Sequence, residues 1–242
     1  TAMGVAAHES HREAAPVRDS AELSTQAAGP ATDAPVVVTL EQHAEDGTSE
    51  KFEVRAGEIV GFAGLEGHGQ LIALEAVARA SAAKPGKRRG PKRTPHHVIS
   101  VVGNSAYVSG DRGVRGIFPI WDVAGNISFS SLGALSRGGL IKPKAERELV
   151  REWYDRLGIK GQPTDVITSL SGGTQQKALM ARAMAVGSDV LLLEDPTRGV
   201  DQATKNEVYD LLRQQADEGQ TVIWYSTENE ELRNCDRVFV FR

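Results

Sequence analysis

The sequence predicts an α/β fold built on a parallel core sheet, and three stretches carry that prediction. Val190 to Leu193 is an unbroken apolar run that stops at two carboxylates, Glu194 and Asp195. That is the pattern of an inner parallel strand, apolar on both faces, delivering polar groups to its C-terminal edge. Glu58 to Gly64 is a second such strand and enters the glycine-rich loop Gly64-Leu-Glu-Gly67-His-Gly69 ahead of a helical segment. Thr221 to Tyr225 is a third buried strand, reached through a helix. Strands alternating with helices in this way form parallel sheets.

In chain order, residues 1–34 are rich in Ala, Ser, Pro, Glu and His without apolar periodicity and are expected to be a tail or linker. Thr1-Ala2-Met3-Gly4 reads as a cloning remnant. The domain itself is placed at 35–242. Val36 to Leu40 and Lys51 to Val54 flank the polar turn Glu45-Asp46-Gly47, which predicts a hairpin. Gln70 to Ala83 follows the glycine loop as a helix. Lys84 to Arg93 holds six basic residues, two prolines and two glycines; it reads as a solvated loop, or as a contact for an acidic partner or nucleic acid. Val98 to Val102 and Ala106 to Val108 read as strands. Ile117, Phe118, Ile120 and Trp121 form an apolar cluster that is either core or partner surface.

Lys142 to Gly158 places Leu149, Trp153 and Leu157 on one stripe of an amphipathic helix, interrupted by Pro163. Ala203 to Glu218 is a helix, by Val208, Leu211 and Leu212 and the stop at Gly219. Asp236 to Phe241 is a last strand.

Composition narrows the class. The 242 residues suit one domain large enough to bury a core. A net charge of −4 and a pI near 5.9 give no general reason to expect nucleic acid. The single cysteine, Cys235, has no intrachain partner, which suits a reducing compartment. No apolar run approaches the roughly 20 residues of a membrane span, and no signal peptide is recognisable, so the expected location is cytoplasmic.

Two motifs carry chemistry. Leu170-Ser171-Gly172-Gly173 puts a hydroxyl and two unobstructed amides where a helix begins, and a helix N-terminus attracts anions. The loop from Gly64 to Gly69 has the layout of a phosphate cradle, in which glycines let successive N–H groups converge ahead of a helix. Its working form ends Gly-Lys-Ser/Thr, the lysine reaching the phosphates and the hydroxyl holding Mg²⁺. Here Gln70 and Leu71 occupy those positions. Losing one charge-assisted hydrogen bond of about 1.5–3 kcal/mol weakens phosphate binding roughly 10- to 200-fold. The loop therefore reads either as a weakened nucleotide site or as a structural turn.

Leu-Ser-Gly-Gly-x-Gln-Gln-Lys at 170–177, followed by the strand and loop from Leu191 to Asp201, resembles the ATP-binding-cassette (ABC) ATPases. Gln175-Gln176-Lys177, Pro196-Thr197-Arg198-Gly199-Val200-Asp201 and Tyr107-Val-Ser-Gly-Asp111-Arg112 are similar in particular to the second, degenerate cassette of monosaccharide and nucleoside importer ATPases. The resemblance covers about 36–242 and is strongest from 107 to 201. It implies a P-loop NTPase-like cassette with a parallel core sheet, an antiparallel β-subdomain and an inserted helical signature subdomain at about 117–187. ATP and Mg²⁺ are the implied cofactors, bound either by this chain or only through the partner cassette.

On this resemblance Ser171, Gly172, Gly173 and Gln175 form the signature, which in ABC dimers closes on ATP held by the other cassette. Gly64, Gly67, His68, Gly69, Gln70 and Leu71 form a degenerate Walker A loop. Glu194 takes the Walker B position, as a weak Mg²⁺ ligand; Asp195 takes that of the catalytic glutamate and Thr227 that of the switch histidine. Asp201 lies on the D-loop that crosses to the partner. The family order Asp-Glu is reversed in Glu194-Asp195, which sets the catalytic carboxylate back by about 1.5 Å; misplacement on the order of 1 Å can cost about 100-fold in rate.

The implied function is the nucleotide-binding domain of an importer ATPase for a sugar or nucleoside, donating its signature to a partner's ATP site while its own Walker sites are degenerate. The alternatives are a self-sufficient Mg-ATPase, or a non-catalytic pseudo-cassette. The implied partners are a second cassette in the same polypeptide or a dimer, membrane permease subunits and, indirectly, a solute-binding protein. The implied location is the cytoplasm, peripheral on the inner face of the cell membrane. The family's next turn and strand do not follow Arg242, so the chain is expected to be part of a longer polypeptide.

Overall fold

A computed structural model describes residues 33–43, 49–65, 67–81, 92–93, 97–137 and 139–241. The N-terminal tail, the predicted turn Glu45-Asp46-Gly47, the end of the first predicted helix and the basic segment apart from Lys92–Arg93 lie outside those residues.

The strands are β1 (Val36–His43), β2 (Ser49–Arg55), β3 (Ile59–Gly64), β4 (Lys92–Arg93), β5 (His97–Val101), β6 (Ser105–Val108), β7 (Ser136–Arg137), β8 (Leu140–Ile141), β9 (Val190–Glu194), β10 (Thr221–Tyr225) and β11 (Arg237–Phe241). The α-helices are α1 (Gln70–Ala80), α2 (Val123–Ser128), α3 (Leu132–Leu135), α4 (Pro143–Leu157), α5 (Gly172–Met184) and α6 (Gln202–Asp217).

Five strands form the parallel core sheet in the order β11-β3-β10-β9-β6. Side-chain alternation divides the central strands between two cores. Leu191, Leu193, Val222 and Trp224 pack with residues of α5 and α6, whereas Val190, Leu192 and Ile223 pack with residues of α1. All seven are fully buried, which is why these strands read as continuous apolar runs and not as alternating ones.

A second, antiparallel sheet runs β2-β1-β5-β4, with Val38 opposite both Val54 and Val101. The two predicted strands at 98–102 and 106–108 thus divide between the sheets, β5 joining the antiparallel one and β6 the core. Gly103 makes the switch at φ 94°, a left-handed conformation; a Cβ there would lie 2.0 Å from the Asp189 carboxylate, which itself accepts the Asn104 N–H at 2.9 Å.

Between β6 and β9, which are neighbours in the sheet, the chain makes α2 to α5 and the small hairpin β7–β8. Helix α4 buries Val150, Trp153 and Leu157, with Leu149 only partly covered. It ends at Gly158 in the left-handed conformation (φ 53°), where the Ile159 N–H turns back to the Tyr154 carbonyl. The helix thus ends at Gly158, as the predicted span Lys142 to Gly158 has it. Of the apolar cluster just before α2, Ile117 is partly buried against the core, while Ile120 is 86% exposed and Trp121 39%. The rings of Phe118, Trp121 and Phe129 pack together in tilted and edge-to-face contacts, 4.6–5.6 Å between ring centres.

Candidate functional site

The C-terminal ends of β3, β9 and β10 are adjacent, since Tyr225 lies opposite both Phe62 and Glu194. This register brings the glycine loop, the two carboxylates and the turn after β10 to one edge of the sheet, the edge where ligands bind in open parallel α/β folds.

At the loop, Gly64, Gly67 and Gly69 take φ values of 146°, 89° and 101°, which only glycine adopts readily. Gln70 opens α1 and is buried, and its amide N–H donates to the Leu65 carbonyl at 3.0 Å. A Cβ on Gly64 would fall 2.3 Å from that amide nitrogen, so the Gln70 side chain lies directly on the floor of the loop. The loop thus closes on a side chain of its own. Leu71 packs toward the α1 side of the core, whereas Leu65 and Ile72 are largely exposed. His68 is exposed with Nδ1 at 3.2 Å from the Phe241 carbonyl oxygen.

The carboxylates are also engaged within the chain. Glu194 Oε2 accepts hydrogen bonds from the Tyr107 hydroxyl at 2.7 Å and the Ser109 hydroxyl at 3.2 Å. Burial, with the adjoining Glu194, pushes the Tyr107 phenol well above its ordinary pKa, so it stays a donor. Asp195 is buried and holds φ 41°, an uncommon conformation for a side-chain-bearing residue. Its Oδ1 accepts both the N–H (2.6 Å) and the hydroxyl (3.0 Å) of Thr227. Burial raises the Asp195 pKa above 3.8, and the two Thr227 donors and the Arg198 charge offset that only in part.

The signature residues form a second group. Ser171 is exposed and caps α5, accepting the Thr174 N–H at 3.3 Å, with the Thr174 hydroxyl 3.0 Å away. The Gln175 amide donates to the Leu170 carbonyl at 2.9 Å. Asp201 caps α6 in the same way, through the N–H and hydroxyl of Thr204 at 3.1 and 2.8 Å, and these bonds hold its carboxyl below the usual range. Gly173 sits against this cap: a Cβ there would lie 3.5 Å from the Thr204 hydroxyl and 3.6 Å from the Asp201 carboxylate. The structure therefore joins Gly64 to Leu71, Glu194, Asp195 and Thr227 at one sheet edge, and Ser171 to Gly173 with Asp201 beside α6.

Sequence reasoning did not single out Tyr107 and Ser109 as partners of Glu194, nor a buried carboxylate, Glu231, in the turn after β10. Nothing in a polar residue's neighbours along the chain signals a partner some 85 positions away. A hollow of about 500 Å³ lies between β6 and α5, lined among others by Tyr107, Arg115, Phe129 and Arg182. Arg182 donates to the carbonyls of Gly116 and Asn126 at 2.6 and 2.5 Å and lies 4.9 Å from the Phe118 ring centre; burial lowers its pKa to about 10.

The ABC transporter family model matches residues 48–198. The chain is 39% identical over 197 residues to the ribose import ATP-binding protein RbsA 1 of Rhizobium etli, covering 78% of this chain and 38% of that protein. It is 34% identical over 200 residues to the ribose import ATP-binding protein RbsA of Geobacillus kaustophilus, covering 78% and 39%. The chain thus spans well under half the length of these relatives. Among solved structures it is similar to a metal-chelate-type ABC transporter in an inward-facing conformation, with TM-score 0.68 and 20% identity over 86% of this chain and 79% of that one. It is likewise similar to a dimeric ATP-binding cassette bound to ADP and phosphate, with TM-score 0.64 and 19% identity over 85% and 94%. With its parallel core sheet, antiparallel sheet and helices arranged as an ABC cassette, the chain belongs to the ABC transporter family.

Proposed function

We propose that this chain is a nucleotide-binding domain of an importer ATPase for a sugar or nucleoside, and that it serves the ATP site of a partner cassette through its signature. The observation that carries this reading is a difference in exposure: both groups hydrogen-bond within the chain, but Gln70 and Asp195 are buried whereas Ser171 is exposed. At the sheet edge, Gln70, Glu194, Asp195 and Thr227 satisfy one another or neighbouring groups of the same chain. At the start of α5, Ser171 is exposed above the N-terminus of a 13-residue helix, where the helix dipole favours an anion.

In this division of labour Ser171, Gly172 and Gly173 close on the triphosphate of ATP held by the second cassette, and Asp201 reaches toward that cassette's catalytic groups. The residues Gly64 to Leu71, with Glu194 in the magnesium position, keep the cradle's backbone without its charge and bind Mg·ATP weakly. The import of a sugar is supported by relatives that are ribose import ATP-binding proteins. Among the described residues no helix is long and apolar enough to cross a membrane. In this reading movement of solute falls to separate permease subunits, and the cassette works at the inner membrane face. The exposed Ile120, Trp121 and Phe129 beside the Tyr107–Arg182 hollow supply an apolar surface suited to docking such a subunit.

The test is Ser171→Arg in the assembled transporter, read as ATP hydrolysis. A bulky cation at the helix start blocks the approach of the partner's nucleotide, and a large loss of hydrolysis with the assembly intact is expected. Unchanged hydrolysis would overturn the reading in favour of a non-catalytic pseudo-cassette. That second reading has one observation on its side: the Ser171 hydroxyl already caps its own helix.

A further inference from the structure

The turn after β10 carries a carboxylate with an unusual number of donors. Glu231 is 5% exposed, and its Oε1 accepts from Lys205 Nζ (2.8 Å), the Thr197 hydroxyl (2.5 Å) and the Tyr209 hydroxyl (3.2 Å). Its Oε2 accepts from the Ser226 hydroxyl at 2.7 Å. Burial by itself would raise the Glu231 pKa, but Lys205, Thr197 and Ser226 outweigh it and hold the group ionised.

These donors come from three separate segments. Thr197, fully buried, opens the loop that runs from β9 to the Asp201 cap. Lys205 and Tyr209 lie on α6, the helix that Asp201 caps, and Lys205 also pairs with Glu228 at 2.7 Å. Ser226 is the first residue after β10 and next to Thr227, whose N–H and hydroxyl are taken by Asp195. The turn after β10 is thus pinned twice, at Thr227 by the end of β9 and at Ser226 by Glu231. The same Glu231 pins the loop after β9 through Thr197.

We infer that Glu231 is a positioning residue that makes the loop Thr197–Asp201 and the turn Ser226–Glu231 one mechanical unit, so that a disturbance at either is felt at the other. Every hydrogen bond that builds the unit runs between side chains of this chain. On the proposed function, this unit positions the loop that leads to Asp201 toward a partner cassette.

Coupling of this kind is reciprocal, and amide hydrogen exchange on the whole chain measures it without reference to activity. Ser226→Ala removes one hydroxyl from the turn and leaves the loop untouched. Thr197→Val does the converse at nearly constant volume. The reporters are the Arg198 and Val200 N–H groups, bonded to the Asp195 and Thr197 carbonyls, and the Thr227 and Glu231 N–H groups, bonded to the Asp195 carboxylate and the Glu228 carbonyl. Exchange of Arg198 and Val200 in Ser226→Ala, and of Thr227 and Glu231 in Thr197→Val, is expected to rise by about 3- to 10-fold, the equivalent of one ordinary hydrogen bond. Amides of Val60, Leu192 and Ile223 in the core sheet stay unchanged.

Effects confined to the mutated segment would overturn the inference, because Glu231 would then be an anchor for each segment separately. An equal rise at the core-sheet amides would overturn it too, since the network would then only contribute global stability. Because these readouts need no partner and no nucleotide, failure here is distinguishable from failure of Ser171→Arg to affect hydrolysis.

Discussion

Replacing Gln70 by Lys and Leu71 by Thr tests whether residue chemistry or loop geometry has weakened the glycine loop. Three glycines already hold the positive φ values of the cradle, and α1 begins at residue 70 directly behind it. What stands in the way is an amide: Gln70 gives its N–H to the Leu65 carbonyl, a neutral bond that contributes on the order of 0.5–1.5 kcal/mol. A lysine at the same position can lift off that carbonyl and meet phosphate with a charge-assisted bond of about 1.5–3 kcal/mol. Net of the bond given up, the gain is about 1–2 kcal/mol, so at about 1.4 kcal/mol per decade Gln70→Lys should tighten ATP binding roughly 5- to 30-fold. Leu71→Thr should make the gain depend on Mg²⁺, because a hydroxyl there is the ion's ligand in the working form of the loop. Calorimetric titration with ATP, with and without Mg²⁺, reads both effects. Wild-type chain is expected to show no saturation below about 1 mM nucleotide, a binding free energy weaker than about −4 kcal/mol. Micromolar binding by the wild type, or no gain in the double variant, would refute the reasoning. The first outcome would mean that backbone amides suffice; the second that the cradle itself has collapsed.

Two further outcomes follow from the buried carboxylates. Asp195 has a folded-state pKa raised by burial, so the stability present while it is protonated is lost as pH rises from 3.8 through that raised value. Asp195→Asn, whose amide oxygen can still accept from Thr227, should therefore be at least as stable as wild type at pH 7 and show a flatter stability profile above pH 4 in urea unfolding. A loss of stability in this variant at pH 7 would show that the charge itself is needed. Glu231 is the opposite case: its pKa is lowered, so its contribution is present above 4.5 and disappears as pH falls through the folded value. Glu231→Gln should cost about 3 kcal/mol at pH 7, as expected for breaking a buried ion pair, and thermal melts should show the difference from wild type shrinking in acid.

Much of the architecture was legible because it rests on local rules. A strand buried on both faces must be apolar throughout, which identified β3, β9 and β10. Glycines at positive φ identified the loop after β3, and Gly219, which ends α6, was read from the same property. The end of α4 was legible in the same way: the predicted segment Lys142 to Gly158 ends at Gly158, where a left-handed glycine closes the helix and Ile159 turns back onto it.

Residue identity along the chain was enough to establish that the phosphate lysine and the magnesium hydroxyl are absent, that the two carboxylates stand in reversed order, and that a Ser-Gly-Gly opens a helix. Those facts depend only on which atoms are present at a given spacing. Only the tertiary structure decided what the altered groups do instead: that Gln70 folds onto its own loop, that Glu194 is held by Tyr107 and Ser109, that Asp195 is tied to Thr227, and that Glu231 gathers Thr197, Lys205, Tyr209 and Ser226. Most of these contacts join positions far apart in the chain, and the parallel sheet brings them together by setting the ends of β6, β9 and β10 side by side. A buried polar group must find a partner, but which partner it finds is a property of the packed fold.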